Sequence, residues 1–162
     1  LDIGCGDWES SRLVSWKDVK YFGVDVVPDL VARNSDEFGS PNVQFAVLDF
    51  MTEELPPADL LICKDVLQHL PNTYVHMFLN KINVYPYALL TNDIATYKQP
   101  PWTRFWRPRP FGPPKNSEIT LGGKRNLCLR EPPFSIRARR LLQYTVRYDT
   151  YKWVKETLLV TN

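Results

Sequence analysis

Apolar residues along this chain come in short runs broken by polar turns, and the spacing within each run predicts an element. Residues 1–3 read as the tail of a strand that runs into Gly4-Cys5-Gly6. A helix is expected from about Trp8 to Trp16, with Leu13, Val14 and Trp16 as apolar anchors. Residues 21–26 form an almost continuous apolar run, which suits a parallel strand buried on both faces. Pro28 stands where a helix would begin, with Asp29 in its first turn. Further strands are expected at 43–48, ending at Asp49, and at 60–63. A turn and short helix follow over 64–70. Pro71-Asn72 then opens a helix whose apolar positions Val75, Phe78, Leu79 and Ile82 keep the i, i+3, i+4, i+7 spacing. A fifth strand covers 87–91 and ends at Asn92-Asp93. Residues 141–148 and 153–160 read as two strands with Asp149-Thr150 between them, a connection short enough only for an antiparallel hairpin. Alternating strands and helices predict an α/β fold, a parallel sheet with helices on both faces.

Composition narrows this picture. The chain of 162 residues, 44% hydrophobic and 23% charged, fits one globular domain with one core. No apolar run approaches the ~20 residues that span a bilayer, so no membrane partner is expected. No signal peptide is visible, but the chain starts abruptly on an apolar strand, and residues before Leu1 are expected to be missing. A net charge of +2 makes no global case for nucleic acid. Cys5, Cys63 and Cys128 are scattered, with no metal spacing, and read as free thiols of a reducing, cytoplasmic compartment. Eight of the 14 prolines fall between Pro100 and Pro133, which marks residues 94–133 as a long irregular insertion in the single domain 1–162.

The glycine loop carries the chemistry. Glycines between a strand and a helix let the backbone turn sharply and approach a ligand with no Cβ in the way. Asp25 ends the next strand, 19 residues after Gly6, where an acid can accept both ribose hydroxyls of an adenosine-containing ligand. A nicotinamide dinucleotide would need a small residue at position 9, which is Glu9, and its pyrophosphate would meet Asp7 and Glu9. S-adenosylmethionine (SAM) has no phosphate and a positive sulfonium, so the same acids are tolerable. The bland alternative is a ligand-free turn with Asp25 capping the next helix.

Four segments in this order resemble the class I SAM-dependent methyltransferases: Leu1-Asp2-Ile3-Gly4-Cys5-Gly6, Gly23-Val24-Asp25-Val26, Val47-Leu48-Asp49-Phe50, and the run from Asp59 through Lys64-Asp65 to Leu70. The resemblance implies a Rossmann-like, mostly parallel seven-stranded sheet ending in the antiparallel hairpin. It also implies that Asp2 lies near the methionine end of SAM and that Gly4, Cys5 and Gly6 line the cofactor. Asp25 with Val26 would hold the ribose, and Asp49 with Phe50 the adenine. Lys64 and Asp65 would border both cofactor and acceptor. Trp8 replaces the third glycine common in that motif. The helix that usually precedes the first strand of such proteins has no counterpart in the sequence.

Methyl transfer from a sulfonium needs alignment and exclusion of water above all, and a hydroxyl acceptor benefits from a general base. His69, Asp65 and Asp93, at or beyond the ends of strands, are the candidate bases. A backbone-bonded His69 and a helix-capping Asp65 are the competing readings. Arg104, Phe105, Trp106 and Arg107 in the insertion mix charge with rings and are the candidate substrate contacts. A small-molecule or glycan acceptor with a hydroxyl or similar heteroatom is the leading expectation. Nucleic acid, as in an RNA methyltransferase, is the alternative, and so is a non-catalytic subunit binding partners through 94–133. No metal site is expected.

Overall fold

The computed structural model describes residues 1–98 and 109–162. Its strands are β1 (Asp2–Ile3), β2 (Tyr21–Asp25), β3 (Val43–Val47), β4 (Leu60–Lys64), β5 (Tyr87–Lys98), β6 (Arg109–Pro110), β7 (Arg139–Tyr148) and β8 (Tyr151–Thr161). The α-helices are α1 (Pro28–Phe38) and α2 (Asn72–Lys81). The main sheet runs β3-β2-β1-β4-β5-β8-β7, with β6 pairing β5 off that path. Strands β1 to β5 are parallel, and the β7–β8 hairpin adds antiparallel to β5. This is the Rossmann-like arrangement expected, with the two-residue β6 added.

The connections β2–α1–β3 and β4–α2–β5 travel in opposite directions along the sheet. Right-handed crossovers therefore put α1 and α2 on opposite faces. Packing agrees. Phe38 of α1 joins Trp8, Tyr21, Val43 and Phe45 in a small aromatic cluster on one side. Val75, Phe78 and Leu79 of α2 enter the main core with Val24, Leu61, Cys63, Ala88 and Leu90. The two sides use alternate residues of β2, as the strand period requires. Fully buried side chains such as Phe78 each contribute roughly 1.5–3 kcal/mol by removal from water.

Two expectations are corrected. Residues 8–16 form no α-helix but a single 3-10 turn, Ser11–Leu13, and Leu13 and Val14 are 80% and 53% exposed. Of the three expected anchors only Trp16 packs, its ring 4.6 Å from that of Tyr21. Leu13 and Trp16 alone keep an i, i+3 spacing, too little for an apolar stripe, and Trp8 stands at φ 59, which ends any helix before it starts. Second, β5 does not stop at Thr91 but continues through Asp93 to Lys98, bulging between Asp93 and Ala95. The described part of the expected insertion, irregular beyond residues 94–98 of β5 and the short β6, packs into the domain. Leu127, Leu129 and Phe134 lie in the main core. Buried Arg125 donates from one terminal nitrogen to the Leu70 carbonyl (2.6 Å) and from the other to Asn72 Oδ1 (2.7 Å), fastening this segment to the start of α2. Asn116 pins its interior by donating to the carbonyls of Cys128 and Pro132.

Candidate functional site

Strand order reverses between β1 and β4, and a crevice opens there at the C-terminal ends of the parallel strands, where α/β sheets bind ligands. Its volume is about 400 Å³, within the range of small-molecule and cofactor sites. Nine of the ten expected cofactor residues line it: Asp2, Gly4, Cys5, Gly6, Asp25, Val26, Phe50, Lys64 and Asp65. Asp49 does not. Its Oδ1 accepts from the Met51 amide (2.9 Å) and caps the turn after β3. Leu48 and Val66, within the quoted segments but assigned no role, also line the crevice, as does Ser11.

The glycine loop is built for close approach. Gly4 (φ +68) and Gly6 (φ +59) both adopt the left-handed region. A Cβ on Gly4 would stand 2.3 Å from Val66 Cγ2, whereas one on Gly6 would meet no protein atom and point into open space at the crevice wall. The amides of Gly4 and Cys5 both donate to the Val24 carbonyl (2.8 and 3.1 Å), tying the loop to β2. Asp25 then accepts from the Gly6 amide at 3.1 Å and from the Val27 amide at 3.2 Å. Asn34, fully buried on α1, donates to the Gly6 carbonyl at 2.7 Å. The sequence signal for Asn34 was slight: a polar residue three positions after Val31, on the buried side of the helix.

Trp8, in the third-glycine position, pays for its left-handed backbone with packing. Its ring lies 5.0–5.5 Å from those of Tyr21, Phe38 and Phe45, under the loop. Beside it, the buried Asp2 carboxylate accepts from the Tyr21 hydroxyl (2.6 Å) and from Ser11 Oγ (3.4 Å). Burial raises the Asp2 pKa against those hydrogen bonds. Burial also pushes the Cys5 thiol up to about 12, so it stays protonated at neutral pH.

Two of the three candidate bases are brought together, through a residue not anticipated. Lys155 of β8 stands opposite Asp93 of β5. Its ammonium bridges Asp65 Oδ1 at 2.6 Å and Asp93 Oδ1 at 2.8 Å. Lys64 pairs with the other oxygen of Asp65 (3.1 Å), and Lys124 with the other oxygen of Asp93 (3.0 Å). Gln68 completes the ring, its Oε1 accepting from the Asp93 amide at 2.6 Å. Burial alone would raise the Asp65 pKa, but Lys155 and Lys64 outweigh it and hold the carboxyl below its ordinary value. For Lys155, burial works to lower the pKa, and the bonds to Asp65 and Asp93 prevail and raise it. Asp65 takes φ 62, a strained conformation found at functional sites. It caps no helix with its side chain.

His69 stands apart. Its Nδ1 lies 2.9 Å from the Gly123 carbonyl, a contact in which Nδ1 carries the proton, and its own carbonyl accepts from the Gly122 amide. The ring fastens the 122–123 turn and is not part of the crevice wall. Arg104, Phe105, Trp106 and Arg107 lie outside the described residues.

The profile of the methyltransferase domain family matches residues 1–83, just over half of the chain. The chain belongs to that family. A malonyl-[acyl-carrier protein] O-methyltransferase from Acetivibrio thermocellus is 34% identical over 71 residues, 42% of this chain and 25% of that protein. The chain thus aligns with about a quarter of the length of this curated relative. Among solved structures, TehB from Haemophilus influenzae superposes with a TM-score of 0.62 at 12% identity, covering 99% of this chain and 57% of TehB. The magnesium protoporphyrin IX methyltransferase from Synechocystis with bound SAM gives 0.54 at 16% identity, covering 97% and 67%. These likenesses place the fold among class I SAM-dependent methyltransferases. Methyltransferase-domain proteins take S-adenosylmethionine as cofactor, and the crevice fits that group. The buried Asp2, the two glycines in left-handed backbone and the Asp25 carboxylate share one wall, with Asp7 and Glu9 beside them.

Proposed function

We propose that this chain binds SAM in the crevice at the glycine loop and moves its methyl group to a hydroxyl or similar heteroatom of a small molecule or sugar. The observation that carries the reading is Asp25. Its carboxylate is held at the end of β2 by the Gly6 and Val27 amides, and it faces a 400 Å³ crevice at the sheet's switch point. When bound, SAM supplies an activated methyl that passes to the acceptor as the C–S bond breaks and a C–O bond forms. The chain's residues bind and orient. Asp25 accepts from ribose hydroxyls, Gly4 and Gly6 allow close approach, and Asp2 sits toward the positive end of the ligand. The Lys64–Asp65–Lys155–Asp93 chain of charges borders the acceptor side. Its carboxylates are ion-paired, so they hold the strand ends in register rather than act as free bases, and the acceptor proton leaves to solvent.

Calorimetry with SAM tests the cofactor, and transfer of a labelled methyl group into small-molecule, glycan and RNA pools tests the acceptor. Losing the bidentate ribose contact in Asp25→Ala removes about 1.5–3 kcal/mol, about 10- to 150-fold in affinity. Absence of SAM binding to the intact protein would refute the cofactor assignment. Label appearing only in RNA would refute the acceptor assignment.

A further inference from the structure

Past the point where β4 ends, β5 and β8 continue together as a ribbon. Lys64 is level with Thr91, and five residues further along β5 stands Thr96, paired with Trp153. At about 3.3 Å per residue this places Thr96 roughly 16 Å beyond the cofactor crevice. A second cavity of about 200 Å³ opens there, walled by Phe111, Pro113, Tyr151 and Trp153, with Thr96 and Asn126 at its polar edge. Tyr151 and Trp153, two apart on one face of β8, lie nearly parallel (19°) at 5.7 Å, and Phe111 meets Tyr151 edge-on at 5.3 Å.

Amines crown these rings. Lys98 Nζ is 5.3 Å from the Phe111 ring centre and 5.4 Å from that of Tyr151, and Lys124 Nζ is 5.2 Å from that of Trp153. Lys124 is already paired with Asp93, but Lys98 makes no ion pair among the described residues. Among the described residues that line the cavity none is an aspartate or glutamate, while the Lys98 and Lys124 amines stand over its rings. The rim is therefore electropositive and the walls are aromatic.

We infer that the Phe111–Tyr151–Trp153 cavity binds a planar aromatic anion, its ring against Trp153 and Phe111 and its carboxylate on Lys98. The inference rests on the methyltransferase reading for its purpose. A ligand group held there is the remote end of an elongated acceptor whose reacting atom reaches the crevice. The volume suits one fused ring system, and the cationic rim favours an anionic group over an uncharged one.

Naphthoate and its uncharged amide are the probes, titrated into the full chain by calorimetry, with S-adenosylhomocysteine titrated separately. Naphthoate is expected to bind at least about tenfold more tightly than naphthamide, with 1:1 stoichiometry. Lys98→Met is expected to remove that preference, and Trp153→Ala to weaken both probes about tenfold. Neither should change the affinity for S-adenosylhomocysteine, which also reports that both variants fold. Equal affinity for acid and amide, or an acid preference that survives Lys98→Met, would overturn the assignment. So would tight binding of oligouridylate with no binding of naphthoate, which would make the ribbon a nucleic-acid platform. Naphthoate bound by a chain that ignores S-adenosylhomocysteine would uphold the cavity assignment and overturn the methyltransferase reading instead.

Discussion

Adding one methyl group to each of the two loop glycines separates folding from binding. In Gly4→Ala the new Cβ falls 2.3 Å from Val66 Cγ2, well inside contact distance, and the backbone keeps φ +68. Val66 is β-branched and packed against the main core, so it cannot swing clear at low cost. Left-handed strain for a non-glycine residue costs roughly 1–2 kcal/mol, and overpacking roughly 1–3 kcal/mol. A loss of about 2–5 kcal/mol is expected, which for a chain of this size lowers Tm by about 4–20 °C. In Gly6→Ala only the strain remains, because the methyl meets no protein atom. The stability loss is then about 1–2 kcal/mol, but the methyl stands at the crevice wall and affinity for S-adenosylhomocysteine should fall by at least about tenfold. Val66→Ala closes the cycle. Combined with Gly4→Ala it should return about 1–3 kcal/mol relative to additivity, and with Gly6→Ala nothing. Chemical denaturation of the six proteins measures the coupling. Equal destabilisation by the two glycine variants, or zero coupling between positions 4 and 66, would refute this account of the loop.

Lys155→Met leaves the buried Asp93 with Lys124 alone and the half-buried Asp65 with Lys64 alone, and should cost about 3 kcal/mol, the low end for breaking a buried ion pair. Because the Asp65 pKa is lowered in the fold, its contribution is complete above about pH 4 and fades as pH falls through the folded value. The Lys155 pKa is raised, so its contribution is complete below about pH 10 and fades as pH climbs through its folded value. Urea denaturation from pH 3 to pH 11 should therefore show two limbs in the parent, both flattened in Lys155→Met. A variant with the parent's pH profile would show that the bridge is idle. Trp8→Ala should lose about 3–5 kcal/mol from the aromatic cluster. Trp8→Gly, free of strain at φ 59, should be the more stable of the two by about 1 kcal/mol. The ordinary order, alanine above glycine, would refute the claim that this loop still has a glycine backbone.

The parallel half of the fold was legible because its strands are continuous apolar runs, and the loop because glycines and an acid at fixed spacing have few other uses. Residues 8–16 misled because Leu13 and Trp16 share a helical spacing for barely one turn, which is too short a stripe to fix a helix. The structure leaves Leu13 and Val14 in solvent and spends Trp16 on Tyr21. His69 was attractive for its place beyond a strand end, whereas its ring is held by a carbonyl 54 residues away, at Gly123. Asp49 sits next to a crevice residue, yet its side chain answers to the turn it caps.

Lys155 was invisible for a deeper reason. A strand ends in a sequence-based reading where its apolar run ends, so β5 was cut at Thr91, before the polar Asn92 and Asp93. The real limit is set by the partner. β8 pairs with β5 residue by residue out to Tyr151–Lys98 and satisfies the backbone of polar residues that a lone strand would leave exposed. Once β5 is that long, Asp93 is carried under β8 and buried to 1% exposure, and a buried carboxylate needs a cation. Position 155 is the residue opposite it. The lysine follows from the pairing, and so does the aromatic cavity further out, since Thr96, Trp153 and Tyr151 belong to the same extension. The ribbon beyond Thr91 is thus one structural event with two consequences: it locks one edge of the crevice with charge, and it carries the aromatic cavity about 16 Å away.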